Sequence, residues 1–369
     1  MVSNLTNLTF IVTDDCNFNC SYCPQKKEKK TMNHQMIETA VDVFYPLLKE
    51  HDSVLINFYG GEPTLAFEQI RHAVRLIEEK NKTGHKKIVF AMTTNGSLLN
   101  HEMLNFFNRH RFRMLLSFDG LAQDEGRKKG SFEKMLGIIN GIRDYPDISF
   151  EINSVFSPRT IGTFTESMRF LIDLEGPEVT FNIDALDEWG SEALDVLEKE
   201  MARFTDFMIT YYNEKGKMPV KNFRGDQKQK KVSEGIFHCN AGNDHMALTP
   251  EGDVWGCFHF HDYFKTRTDD PQYQDYHLGT LTDVTNFITN YDTHYSEIKN
   301  NYLDLRQDFF QVDEGEGRFC FLCEEMAECS VCPVVAAYRT GTVGKISCQM
   351  CRLVKIQRNA RKKFIHARA

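Results

Sequence analysis

No apolar run in this chain approaches the roughly 20 residues that a membrane-crossing helix needs, so a membrane span is not expected. Positive charge is also in short supply: 44 Lys and Arg stand against 52 Asp and Glu, for a net charge of −8. That balance argues against a nucleic-acid backbone as the main partner. Internal repeats and low-complexity segments are absent. A β-type run begins at about residue 8, which leaves no room for a secretory signal, and the expected location is cytoplasmic. Disulfides are not expected in that compartment. The last absence is of cysteine itself, which is missing from residue 24 to residue 238 although the chain holds eleven. Random burial would scatter them. Three near the start and eight near the end point instead to metal or redox chemistry at two separate places.

With 369 residues, 41% of them hydrophobic, the chain can bury a sizeable core and divide into two domains. Short β-type runs at 8–12, 54–58, 87–92, 113–117, 149–155 and 178–181 alternate with amphipathic stretches at 36–48, 67–79, 132–142 and 164–174. A long helix over 191–212 closes the series. Repeated βα units of this length imply a parallel sheet with helices outside it. A polar stretch rich in Lys, Gly and Asn over 213–235 places the domain boundary, giving domains of 1–225 and 226–369. Beyond it, 246–249 and 253–256 flank Pro250-Glu251-Gly252 as a hairpin, and 350–369 reads as a basic helix.

The chemistry starts directly after the first strand, at Cys16-Asn-Phe-Asn-Cys20-Ser-Tyr22-Cys23. A zinc site wants four ligands, commonly in CxxC pairs, and fits this CxxxCxxC spacing poorly. Three thiolates on one loop can instead hold three corners of a [4Fe–4S] cube and leave the fourth iron open. The amino and carboxylate groups of S-adenosylmethionine (SAM) can chelate such an iron. Asn57-Phe58-Tyr59-Gly60-Gly61-Glu62-Pro63 ends the second run, Thr94-Asn95-Gly96 the third and Ser117-Phe118-Asp119-Gly120 the fourth, with Arg127 and Asn153 further on. Glycines let backbone approach a ligand closely, and a carboxylate can take an ammonium group. Any one of these residues alone reads equally as a turn or cap.

Together these segments resemble the radical SAM superfamily. The resemblance implies an α/β fold, a partial (β/α)6 TIM-like barrel with its chemistry at the C-terminal strand ends. It also implies that Cys16, Cys20 and Cys23 hold the SAM-cleaving cluster. Gly60, Gly61, Glu62 and Pro63 would then hold the methionine amino group, with Thr94, Asn95 and Asp119 lining the same site. Ser117 and Asn153 would contact the ribose and Arg127 the carboxylate. The segment around Arg127 is shorter than the family pattern.

Cys239, Gly252 and Cys257, then Cys320-x2-Cys323-x5-Cys329-x2-Cys332 and Cys348-x2-Cys351, resemble the SPASM domain of peptide-modifying radical SAM enzymes. Eight cysteines can also form two structural zinc sites. The resemblance implies two auxiliary clusters, hence three [4Fe–4S] clusters in all. By analogy Cys239, Cys257 and Cys332 serve the inner one, and Cys320, Cys323, Cys329 and Cys348 the outer. Two departures matter. Two residues rather than three separate Cys329 from Cys332, and the closing CxxC leaves Cys348 and Cys351 as competing ligands. An inner cluster with only three thiolates can take a substrate thiolate on its open iron; a fourth makes it a relay.

Three function classes follow. One is a maturase of a ribosomally made precursor peptide, installing a thioether or another crosslink. A second is an anaerobic sulfatase maturase that oxidises Cys or Ser to formylglycine; a third is a non-catalytic cluster scaffold. Sulfatase maturases place an aspartate base directly after the cysteine matching Cys257, where this chain has Phe258. An apolar ring takes no proton, which favours the first class, with His259 and His261 as substitutes for the base under the second. Implied partners are a precursor peptide and an electron donor such as flavodoxin or ferredoxin. Leader recognition falls to a separate protein or to another surface, such as the lysines at 26–30 or the basic residues at 358–363.

Overall fold

A computed structural model describes residues 5–224, 240–304, 312–313, 323, 329 and 331–368. Six strands run in chain order: β1 (Asn7–Thr13), β2 (Ser53–Gly60), β3 (Lys87–Thr94), β4 (Arg113–Ser117), β5 (Ser149–Phe156) and β6 (Glu178–Ile183). Each pairs in parallel with the next, in the spatial order 6-5-4-3-2-1. Between them lie α1 (His34–Phe44), α2 (Phe67–Gly84), α3 (His101–Arg109), α4 (Gln123–Gly126), α5 (Phe132–Ile142) and α6 (Phe164–Asp173), and α7 (Ser191–Lys215) follows β6.

Side chains alternate across these strands, so each has one buried apolar face. Val54, Ile56 and Phe58 of β2 are fully buried. Phe58 stacks with Phe112 at 5.9 Å and meets Phe10 at 6.0 Å. Burying each such ring contributes about 1.5–3 kcal/mol. The opposite face is half-buried and largely polar, carrying Asn57, Tyr59, Thr93, Ser117, Asn153, Thr180 and Asn182. Apolar side chains fix the sheet against its helices, which leaves the polar face free for chemistry.

The sheet does not end at β1. Strand β7 (His245–Leu248) pairs with β1 in parallel, and the antiparallel strands β8 (Asp253–Trp255) and β9 (His277–Thr280) extend it to nine. The turn between β7 and β8 places Gly252 at φ +95°, which only glycine adopts readily. Then come α8 (Phe258–Phe264), α9 (Tyr273–Tyr276), α10 (Val284–Asp304), α11 (Pro333–Thr340) and α12 (Cys348–His366). Strands β10 (Val312–Asp313) and β11 (Ile346–Ser347) form a separate parallel pair. Helix α12 returns to the first part of the chain: buried Phe364 meets Phe223 at 5.3 Å and Tyr212 at 6.0 Å. The expected domain boundary at 225/226 lies outside the described residues.

Candidate functional site at the C-terminal strand ends

The loop bearing Cys16, Cys20 and Cys23 leaves β1 and is tied to its neighbours on three sides. Towards β2, the Gly61 and Glu62 amides donate to the Thr13 and Asp15 carbonyls at 2.9 and 2.8 Å. Towards β3, Asn95 donates to Asn17 and Asn17 to Ser97, both at 2.9 Å. Towards the segment after β4, the Ser21 amide donates to the Gly126 carbonyl at 2.9 Å, and the Tyr22 hydroxyl donates to Asp119 at 2.7 Å. A Cβ on Gly61 would lie 2.3 Å from the Asp15 carbonyl oxygen and 2.9 Å from the Cys16 Cβ. Glycine is what lets the two segments touch.

Burial pushes all three thiols up, Cys16 to about 11, and for Cys16 and Cys23 the charge of Cys20 adds to the effect. Thiols held in this way ionise only against a positive centre such as a metal. Among the described residues no three donors are gathered to hold a single metal ion. A four-iron cube instead spreads its thiolates over separate irons. A soft three-thiol set on one short, pinned loop fits such a cluster.

Glu62 is fully buried. Its Oε1 accepts from the Thr64 amide at 3.0 Å and from the Thr64 and Thr94 hydroxyls at 2.6 Å each, while Oε2 accepts from the Asn95 amide at 2.7 Å. Burial raises its pKa although these four donors oppose the shift. Pro63 is buried at the start of the short 3-10 turn that Glu62 caps. The structure therefore joins Gly60, Gly61, Glu62, Thr94 and Asn95 in one unit with the cysteine loop. Ser117 and Asn153 are register partners on the open face, and Asn182 donates to the Asn153 side chain at 2.7 Å.

Asp119 and Arg127 face inwards. They pair at 2.8 Å, and Arg127 also donates to the Asn153 carbonyl at 3.3 Å and lies over the Tyr22 ring. Burial opposes the guanidinium charge most, but Asp119, Tyr22 and Cys20 together outweigh it and hold the pKa above its usual value. Arg127 Nε is buried with no hydrogen-bond partner among the described residues, a donor that a ligand carboxylate can satisfy.

Of the later cysteines, Cys239 and Cys320 lie outside the described residues. Cys257 caps α8, accepting from the His259 amide at 3.3 Å. Cys257 and Cys332 pack against the main core, whereas Cys329 and Cys351 pack against a small second one. Three further features were not anticipated. The Tyr59 and Phe258 rings meet at a tilt with centroids 4.0 Å apart, the phenol pushed well up by burial and by nearby Asp262, Cys23 and Cys257. Asp262, one helical turn after Phe258, contacts Gln25 at 3.3 Å, and burial moves its carboxyl up to about 6. Asp14 meets His261 at 3.4 Å and Lys265 at 2.5 Å; burial pushes its carboxyl up, but these two partners together outweigh it and hold the pKa down. The alternation of FHFHD along a helix was the available signal, since 258 and 262 share a face.

Residues 10–171 match the radical SAM superfamily. The chain is 26% identical over 265 residues to an uncharacterized protein of Methanocaldococcus jannaschii, covering 70% of this chain and 86% of that one. It is 25% identical over 174 residues to a cysteine-type anaerobic sulfatase-maturating enzyme of Clostridium novyi, covering 43% and 46%. With the radical SAM cyclopropyl synthase TigE of Paramaledivibacter caminithermalis it shares 24% over 298 residues, covering 71% and 59%. The chain thus spans about half the length of these last two relatives. Among solved structures, anSMEcpe with bound AdoMet superposes with a TM-score of 0.74 at 19% identity, covering 99% and 94%. Streptococcus suis SuiB bound to its precursor peptide SuiA gives 0.61 at 14%, covering 93% and 75%. These structural likenesses are of fold.

Proposed function

Because residues 10–171 form a radical SAM domain, we propose that this enzyme cleaves SAM reductively and modifies a residue of a ribosomally made peptide, installing a thioether or other crosslink. When bound, a [4Fe–4S] cluster on Cys16, Cys20 and Cys23 with SAM at its open iron supplies a 5′-deoxyadenosyl radical. The chain's own residues bind and orient. Glu62 offers acceptor capacity on Oε2, Arg127 an unused Nε donor, and Ser117 with Asn153 a polar edge for the ribose. The Tyr59/Phe258 ring pair adds apolar surface next to Cys257.

The observation carrying the peptide reading is that polar open face at the strand ends, on a fold shared with two proteins whose structures hold peptides: anSMEcpe with the Cp18Cys peptide and SuiB with SuiA. Two auxiliary clusters on the C-terminal cysteines, an electron donor and a separate leader-recognition protein belong to the same proposal. Anaerobically reconstituted protein is expected to release 5′-deoxyadenosine. Replacing Cys16, Cys20 and Cys23 together by Ala should abolish that release; full cleavage in the triple variant rejects the assignment.

One observation favours formylglycine formation as the second reading. His261 is engaged with Asp14, which leaves it poorly placed as a base. Asp262, however, lies one turn from Phe258 on the same face, with its carboxyl near 6, and is suited to accept a proton. Mass spectrometry of a sulfatase-type peptide separates the readings. We expect no aldehyde; aldehyde made by the wild type and lost in Asp262→Asn reverses the ranking.

A further inference from the structure

Where β6 runs out, Asp184, Asp187 and Glu188 follow one another closely, the last two exposed. None of these carboxylates pairs with a Lys, Arg or His among the described residues, and none caps α7, whose N-cap is Gly190. Exposed acidic residues alone are ordinary solvated surface; Asp184 sets this group apart. Its amide donates to the Phe156 carbonyl at 2.8 Å, which carries the β5–β6 ladder one residue past Ile183. Alternation from Thr180 and Asn182 then turns the Asp184 side chain to the polar open face of the sheet. Ser117 and Asn153 lie on that same face.

Asp184 is 6% exposed. Its Oδ1 accepts from the Leu186 amide at 2.9 Å, whereas Oδ2 is buried with no hydrogen-bond partner among the described residues. Burial, then the Asp187 charge, raise its pKa to about 6 against the Leu186 and Asp187 amides, so the carboxylate form prevails at neutral pH. An ionised acceptor left unmet in this way costs stability. The backbone around it is fixed. The Trp189 indole donates to the Asp184 carbonyl at 2.7 Å, and Gln349 accepts from the Trp189 amide at 3.0 Å and donates to the Asp187 carbonyl at 2.9 Å. A metal ion is a poor occupant, since among the described residues no three donors are gathered to hold one. A cation that brings its own N–H donors suits an unmet carboxylate oxygen, as a guanidinium or an ammonium does. We infer that Asp184, with Asp187 and Glu188 beside it, anchors a Lys or Arg side chain of the substrate peptide. This rests on the peptide-modifying reading and adds a requirement to it: the substrate carries a basic residue near the one that is modified. The exposed carboxylates draw the cation in, and the buried Oδ2 fixes which position of the peptide must supply it.

The test presents a bead-bound library of random short peptides to full-length, anaerobically reconstituted protein with SAM. Wild type should enrich Lys or Arg at one position of the recovered peptides by about tenfold over Gln or Met, the factor that about 1.4 kcal/mol gives. Asp184→Asn keeps the shape of the side chain and should lose that preference while keeping the rest of the recovered motif. Replacing the basic residue of a recovered peptide by Met should weaken its binding to wild type by about the same factor and leave its binding to Asp184→Asn unchanged. Recovered peptides with no basic preference, an undiminished preference in Asp184→Asn, or loss of the entire motif in that variant overturns the inference and leaves the peptide reading standing. The wild-type arm needs no variant, so a misfolded substitution cannot shelter the inference. Recovery of no peptide above background by wild type overturns the inference and the peptide reading together.

Discussion

Arg127 and Asp119 are 8% and 0% exposed and sit 2.8 Å apart, so each is the other's protection against an uncompensated buried charge. Arg127→Met should destabilise the protein by about 3–5 kcal/mol, read by anaerobic denaturant unfolding. Adding Asp119→Asn should recover part of that loss, which would not happen if the arginine acted only through packing. Asp184, 6% exposed, has an Oδ2 with no hydrogen-bond partner among the described residues, and burial moves its carboxyl up to about 6. A raised carboxyl pKa means that the folded state holds the proton more tightly than the unfolded one. Its contribution is present at low pH and is lost as pH rises through about 6. Asp184→Asn should therefore gain stability relative to wild type between pH 4.5 and 7.5, by up to about 3 kcal/mol. A pH-independent difference between the two proteins would contradict this.

At the scale of elements, the junction of the cysteine loop with the end of β2 is the most sensitive contact. Gly61→Ala must displace Asp15 and Cys16, because its Cβ would sit only 2.3 Å from the Asp15 carbonyl oxygen, a backbone atom. The expected outcome is loss of SAM cleavage with about four irons missing and an unchanged far-ultraviolet spectrum; a fully loaded, active variant would sink the idea. The elements themselves were legible to different degrees. The six strands, α5 and the hairpin turn at Gly252 follow from alternation, periodicity and a turn signal, all local properties. Helix α3 is announced only by its cap, Asn100 accepting from the Met103 amide, and α8 is hidden because its FHFHDYF run is buried on nearly every side, His261 and Asp262 included, so no single apolar stripe marks it. The site divides in the same way. Cys16, Cys20, Cys23 and Glu62 are near neighbours of glycines and strand ends. Tyr59 meeting Phe258 depends on a contact about 200 residues apart, which no local pattern encodes.

At the scale of the whole molecule, the two cysteine-bearing parts are bound by more than a linker. Strand β7 hydrogen-bonds along β1, Lys265 pairs with Asp14 beside the first cysteine loop, and α12 lies against α7. A chain ending at residue 225 would expose the side of β1 that β7 covers. It should sediment as aggregate where the full chain stays in solution, since an uncovered interior strand templates pairing with other chains.

The pairing of Phe10 with Leu248 also has a temporal side. The strand that leads into the first cysteine loop leaves the ribosome well before its second neighbour, which is translated some 240 residues later. At about 5–20 residues per second that is an interval of roughly 10–50 seconds during which β1 is one-sided. Cluster insertion before its end would load iron onto a strand still open to other nascent chains. The topology thus makes assembly order, and not only final geometry, part of how this enzyme reaches its active form.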